Sequence, residues 1–203
     1  MYCRGVIDIE SLKLYCFLRS LTIMKKSKAL ILPVITLGHP TLRKVAKKVK
    51  NPLSSEIQEF IPSLVATINS FGGVGIAAPQ VNRSLRIIVV ASKPVPRYPN
   101  APLMTPTVMI NPVIAKRSSR LVKDWEGCGS LLGVRALIPR YVWIDVSYLD
   151  QGGRPQQVRL QDFPARIAQH EIDHLDGIMF VDGVASSKLV ADQYFQEVIL
   201  KKK

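Results

Sequence analysis

Residues 141–177 read YVWIDVSYLDQGGRPQQVRLQDFPARIAQHEIDHLDG. From Tyr141 to Leu149, Val142, Ile144, Val146 and Tyr148 alternate with Trp143, Asp145 and Ser147, which is the period of a half-buried strand. Asp150-Gln151-Gly152-Gly153 is a turn, and Gln156 to Gln161 return as the partner strand of a hairpin. The pattern then changes. Asp162 offers an N-cap acid, Pro164 fits a first helical turn, and Gly177 suits the end of the helix between them. A hairpin that runs into a helix predicts an α+β domain.

The reading holds on either side of this stretch. Ile57, Phe60, Ile61, Leu64, Val65 and Ile68 recur at helical spacing over residues 55–70. Ser55 and Gln58 can form a capping box there, and Pro62 should kink the helix or delay its start. Gly72-Gly73-Val74-Gly75 forms a loop, and the apolar run Leu85 to Ala91 reads as a buried strand. The prolines of residues 94–106 predict an irregular loop, Thr107 to Asn111 a short strand, and Ser187 to Lys203 a last helix. The expectation is mostly antiparallel strands, a central helix carrying the histidine motif and a C-terminal helix. These make one domain over residues 31–203, preceded by a basic extension over residues 1–30. Met24-Lys25-Lys26 reads as the start of a compact chain, so residues 1–23 are expected to be dispensable for folding.

The 203 residues are 47% hydrophobic and 21% charged, enough to bury a core without disulfides and unlike a disordered, collagenous or coiled-coil chain. No uncharged apolar run reaches the roughly 18 residues that a membrane-spanning helix needs. The net charge of +13 suggests a polyanionic partner, but it is unevenly spread. Residues 1–50 hold 11 Lys/Arg against 2 Asp/Glu, whereas residues 51–203 hold 17 against 13. The basicity belongs to the N-terminal quarter, and no aromatic-basic RNA motif accompanies it, so nucleic acid is not expected as the direct substrate. Cys3, Cys16 and Cys128 make no disulfide framework, and their odd number points to a reducing compartment.

The chemistry concentrates in Gln169-His170-Glu171-Ile172-Asp173-His174. Histidines at i and i+4 share one helical face, with Cβ atoms about 6 Å apart, and can reach a single metal ion. Glu171 projects beside that ion, where it can deprotonate water instead of ligating. Two surface histidines are the bland reading. It fits poorly in a chain with three histidines, two of which bracket this glutamate. A catalytic site of this kind needs a third protein ligand and an open position. A metzincin protease would have histidine at position 180, where Phe180 stands, and a gluzincin would use a downstream glutamate, for which Glu197 is available. Upstream, Cys128 lies between glycines, and its thiolate suits zinc or ferrous iron. A buried apolar cysteine is its alternative reading; beside the histidine pair, the ligand is favoured.

Three motifs together resemble the peptide deformylases. Gly73-Val74-Gly75-Ile76-Ala77-Ala78-Pro79-Gln80 is similar to that family's first motif, Glu126-Gly127-Cys128-Gly129-Ser130 to its second, and Gln169 through Gly177 to its third, in order and at about the family spacing. Gly38-His39-Pro40-Thr41-Leu42-Arg43 resembles its opening segment, and the likeness covers roughly residues 30 to 185. The second motif is divergent: Gly129, Leu132 and Ala136 stand where the family usually has leucine, proline and glycine.

The resemblance implies hydrolysis of the N-formyl group from the initiator methionine of nascent polypeptides. Cys128, His170 and His174 would hold one divalent metal, Glu171 would be the general base, and Gln80 and the Gly129 N–H would stabilise the oxyanion. It implies ferrous iron in the cell, with zinc, nickel or cobalt as substitutes. Val74, Gly75 and Ile167 are candidate substrate-binding residues, and Asp173 is expected to orient a histidine or cap a loop. The basic end Lys201-Lys202-Lys203 is a candidate ribosome contact, with solvated helix-terminal lysines as the blander reading. Bacterial cytoplasm is the expected compartment, or an organelle if the source is eukaryotic. The competing readings are a zinc endopeptidase that uses Glu197, and a deformylase-like metal-binding protein with little turnover.

Overall fold

The computed structural model describes residues 29–96 and 98–202; most of the expected basic extension, residues 1–28, lies outside them. Strand β2 (Ile87–Val90) is the axis of the fold, since all four of its residues are buried. Its side chains alternate between two clusters. Ile87 and Val89 join the cluster under helix α1 (Ser55–Ser70), while Ile88 and Val90 join the one under helix α2 (Asp162–Leu175). The buried apolar run read from the sequence is therefore a strand covered on both faces.

The five-stranded antiparallel sheet has the order β1 (Gly75–Ala77), β2, β3 (Thr107–Arg117), β6 (Trp143–Leu149), β7 (Pro155–Gln161). Its β6–β7 hairpin pairs Trp143 with Gln161 through Leu149 with Pro155, as the alternation predicts. A three-stranded antiparallel sheet contains β4 (Leu121–Cys128), β5 (Leu131–Tyr141) and β8 (Val190–Ala191). The β4–β5 hairpin was not legible as strands because its inward positions include Glu126, Arg135 and Arg140, all buried.

Helix α1 has the predicted span and continues through Pro62, whose ring faces solvent. Its N-cap is Ser54, not Ser55, and the Gln58 amide donates instead to the carbonyls of Pro52 and Gln151. Helix α2 starts without a side-chain cap; Asp162 adopts a φ of 51° and donates its N–H to Val142 O. It ends as expected at Gly177, with φ of 74°. The Ile178 N–H reaches Asp173 O at 2.9 Å and the Gly177 N–H reaches His174 O at 3.3 Å, the paired bonds of a Schellman motif.

The C-terminal helix starts later than Ser187. Ser186–Lys188 is a single 3-10 turn, β8 pairs Val190 with Arg135, and the helical segment begins at α3 (Asp192–Tyr194). It continues as a wide turn over Phe195–Ile199 and a tight one over Leu200–Lys202. Two interactions hold this register: Asp192 binds the Arg135 guanidinium, and Phe195 packs against Trp125. Lys203 lies outside the described residues.

Candidate active site

Three elements converge on one cleft. Cys128 ends β4 at the tip of the β4–β5 hairpin, where the pairing jumps from Glu126↔Ala136 to Cys128↔Leu131. Such an irregularity re-aims a side chain, and here it turns the thiol toward α2. Helix α2 buries Ile167, Ala168, Ile172 and Leu175 against the large sheet, which leaves His170 and His174 on the flank that meets the hairpin. The ligand atoms of Cys128, His170 and His174 lie within 4.8 Å of one another, with Cys128 Sγ 3.2 Å from His174 Nε2.

Gln80 lies on the 3-10 turn Ala78–Val81 that follows β1. Its Oε1 accepts the Ala77 N–H at 2.8 Å, so its Nε2 faces the hairpin tip and donates to Ser130 Oγ at 3.3 Å and Cys128 Sγ at 3.5 Å. Backbone bonds from Ile35 to Gln80 O and from Leu37 to Ser130 O brace this turn against the tip. Val74, Gly75, Gly129, Ile167 and Glu171 line the same cleft. The nine residues expected at the site are thus brought together. Gly75 must be small, because a Cβ there would collide with Glu171 Oε1 and the Ile167 side chain.

Beneath the cluster lies a buried ionic network. Glu126 accepts from Arg140 Nε and Nη2 at 2.9 and 3.0 Å, from Arg166 Nη1 at 2.7 Å and from His170 Nδ1 at 2.9 Å. Burial raises the Glu126 carboxyl, but the hydrogen bonds and charges of His170 and Arg140 outweigh it and hold the group far below the usual carboxylate range. The bond to Nδ1 turns His170 Nε2 toward the cluster, the way a carboxylate orients a metal-binding imidazole. Asp173 makes no hydrogen bond to a histidine among the described residues: it pairs with Arg140, which in turn binds Glu126, the acceptor of His170 Nδ1. The orienting roles of Glu126, Arg140 and Arg166 were missed. A signal existed in Arg166, one helical turn before His170, and in a glutamate two residues before the cysteine.

Burial pushes the Glu171 carboxyl up to about 7, and its Oε2 has no hydrogen-bond partner among the described residues. Burial, reinforced by the charges of His170 and Arg140, holds His174 well below the ordinary histidine range. Neutral imidazole is the form that binds metal. The other candidate ligands lie elsewhere. Glu197 is exposed and accepts from Gln193 Nε2 at 3.0 Å, and Phe180 packs its ring 6.0 Å from that of His170. The endopeptidase ligand set is therefore not assembled.

The chain matches the polypeptide deformylase family model over residues 31–190. It is 49% identical over 172 residues to peptide deformylase 2 of Nostoc sp. (strain PCC 7120), a match that covers 84% of this chain and 96% of that protein. Among solved structures it is similar to the Met-Ala-Ser-bound class I type b peptide deformylase of Acinetobacter baumannii. That match has 42% identity and a TM-score of 0.74, and covers 76% of this chain and 99% of the other. The actinonin complex of the Synechococcus elongatus peptide deformylase matches at 34% identity and a TM-score of 0.67, over 89% and 91% of the two chains. With the helix motif, the hairpin cysteine and the glycine-edged cleft in one place, the chain belongs to the peptide deformylases, metal-dependent enzymes that remove the N-formyl group from nascent polypeptides.

Proposed function

We propose that Cys128, His170 and His174 hold one divalent metal ion, that Glu171 carries the proton, and that Gln80 Nε2 and the Gly129 N–H receive the oxyanion. The observation that carries this reading is the convergence of the three ligand atoms within 4.8 Å, beside a buried carboxylate oxygen with no partner among the described residues. One thiolate and two imidazoles fit zinc or ferrous iron, and the carboxylate behind His170 completes the usual support. A metal bound there supplies a Lewis acid that polarises the formyl carbonyl and makes water more acidic.

Glu171 takes a proton from the attacking water and returns it to the amine nitrogen as the C–N bond breaks, which leaves formate and a free N-terminus. Gln80 is pinned through its own carbonyl and Gly129 offers a backbone donor; each such donor contributes about 3 kcal/mol to transition-state stabilisation. Among the described residues β1 is an edge strand, so an extended formyl-methionyl peptide can add to its open side. The methionine side chain then lies between Val74 and Ile167, against the bare backbone of Gly75.

The test is formate release from formyl-Met-Ala-Ser by nickel-loaded or anaerobically purified protein. Glu171→Ala should lower release about 100- to 10,000-fold with metal content unchanged. Release that survives the substitution removes Glu171 from the reaction, and a folded, metal-loaded wild type that releases no formate overturns the reading. Ferrous iron is the ion proposed for the cell. An iron-loaded sample should lose activity in air while a nickel-loaded one keeps it, and an air-stable native zinc enzyme would count against iron.

The unpaired Cys128 and the substrate fit a compartment that starts translation with formyl-methionine, either bacterial cytoplasm or an organelle. Ribosome contact through Lys201-Lys202-Lys203 is best tested by reversing these charges. Truncation from residue 188 would also remove β8 and the Asp192 partner of Arg135. Co-sedimentation at low salt should weaken in the charge-reversed protein.

A further inference from the structure

We propose that the side chain absent at Gly129 opens an apolar subsite at the cleft mouth, one that receives a bulky apolar side chain from one of the two residues after the formyl-methionine. The inference rests on the deformylase reading and adds a sequence preference to it. Beside the catalytic cleft lies a second cavity lined by Val34, Phe71, Gly72, Val95, Pro96, Gly129 and Leu132, with no charged residue among them. Phe71 and Gly129 line both cavities, so the second opens directly beside Cys128.

Nothing in the backbone at position 129 calls for glycine. Its φ lies outside the left-handed region, and a Cβ there would meet only the Phe71 ring, at 3.8 and 3.9 Å, which is ordinary contact. A larger side chain would therefore project over Phe71 and fill the space. Leaving it out exposes apolar walls: Leu132 is 73% and Phe71 40% exposed, although both are large hydrophobic residues at the mouth of a binding cleft. The occupant follows from position and chemistry. Gly129 and Phe71 line both the metal cleft and this cavity, so a peptide extended on the edge of β1 can bring the residues after its formyl-methionine to these walls. An apolar side chain is what removes them from water without leaving a polar group unpaired.

The test compares formyl-Met-Ala-Ser with formyl-Met-Phe-Ser and formyl-Met-Ala-Phe. At least one phenylalanine peptide should have a kcat/KM about five- to twenty-fold higher, and the gain should appear in KM, because an apolar subsite binds ground and transition states alike. In Gly129→Leu, whatever its absolute rate, that ratio should fall to about one; in Leu132→Ser it should fall as well. Calorimetric binding of the unformylated peptides Met-Ala-Ser, Met-Phe-Ser and Met-Ala-Phe to metal-loaded protein reads the same ratio without turnover, so failure of catalysis and failure of the subsite are separable. Equal affinities for the three peptides, or a phenylalanine preference undiminished in Gly129→Leu, would overturn the proposal.

Discussion

Glu126 shows how one side chain can govern both stability and chemistry. It accepts hydrogen bonds from two buried arginines and a histidine, so the Glu126→Gln substitution leaves buried cations without their counter-charge. The expected cost is about 3–5 kcal/mol in denaturant unfolding. Metal affinity should fall about 10- to 100-fold, because His170 loses the group that orients it. The pH dependence has a definite sign. A carboxyl held far below its ordinary value of 4.5 contributes its full stabilisation above that pH and loses it as the pH falls toward the native-state value. The stability gap between wild type and Glu126→Gln should therefore be constant near neutrality and close in acid. At Gly75 the constraint is space: Gly75→Ala should displace Glu171 and cut formate release about 100-fold while the metal stays bound, as read by activity alongside metal analysis.

At the scale of elements, α2 does two jobs with one periodicity. One stripe, through Leu175, packs on β2, and the flank beside it carries His170 and His174. Leu175→Ala should cost about 2–5 kcal/mol in thermal or denaturant unfolding, with the folded fraction still releasing formate. The helix terminus is equally constrained: a Cβ at Gly177 would lie 2.8 Å from Arg43 O, at a φ of 74°. Gly177→Ala should cost about 1–3 kcal/mol by the same measurement. Helix α2 was legible beforehand because the early proline, the apolar period and the glycine stop agreed, although Asp162 does not cap it. The β4–β5 hairpin was not, because its buried arginines and glutamate break the alternation that marks a strand; burial is tolerable because Arg140 pairs with Glu126 and Arg135 with Asp192.

Across the whole molecule, the candidate ligands come from two sheet systems: Cys128 from the small sheet, and the histidines from a helix packed on the large one. A metal that joins them acts as a cross-link and stabilises the fold by mass action, about 4 kcal/mol at a thousandfold excess over Kd. Chelation should then lower Tm by roughly 8–16 °C for a chain of this size, and Cys128→Ser should melt near the chelated value whether or not metal is added.

The local requirements were set by the sequence alone. Periodicity named α1, α2, β2 and the β6–β7 hairpin, and the i, i+4 histidines around Glu171 named the candidate metal ligands on that helix, because side chains one helical turn apart share a face whatever surrounds them. Tertiary structure decided what depends on distant partners. It set Cys128 against His174 across 46 residues, assigned Asp173 to Arg140 instead of a histidine, started the last helix at Asp192, and put the open wall of Gly129 beside Phe71. No periodicity encodes these contacts, because each is fixed by how a hairpin and a helix pack around shared buried charges and a shared cleft.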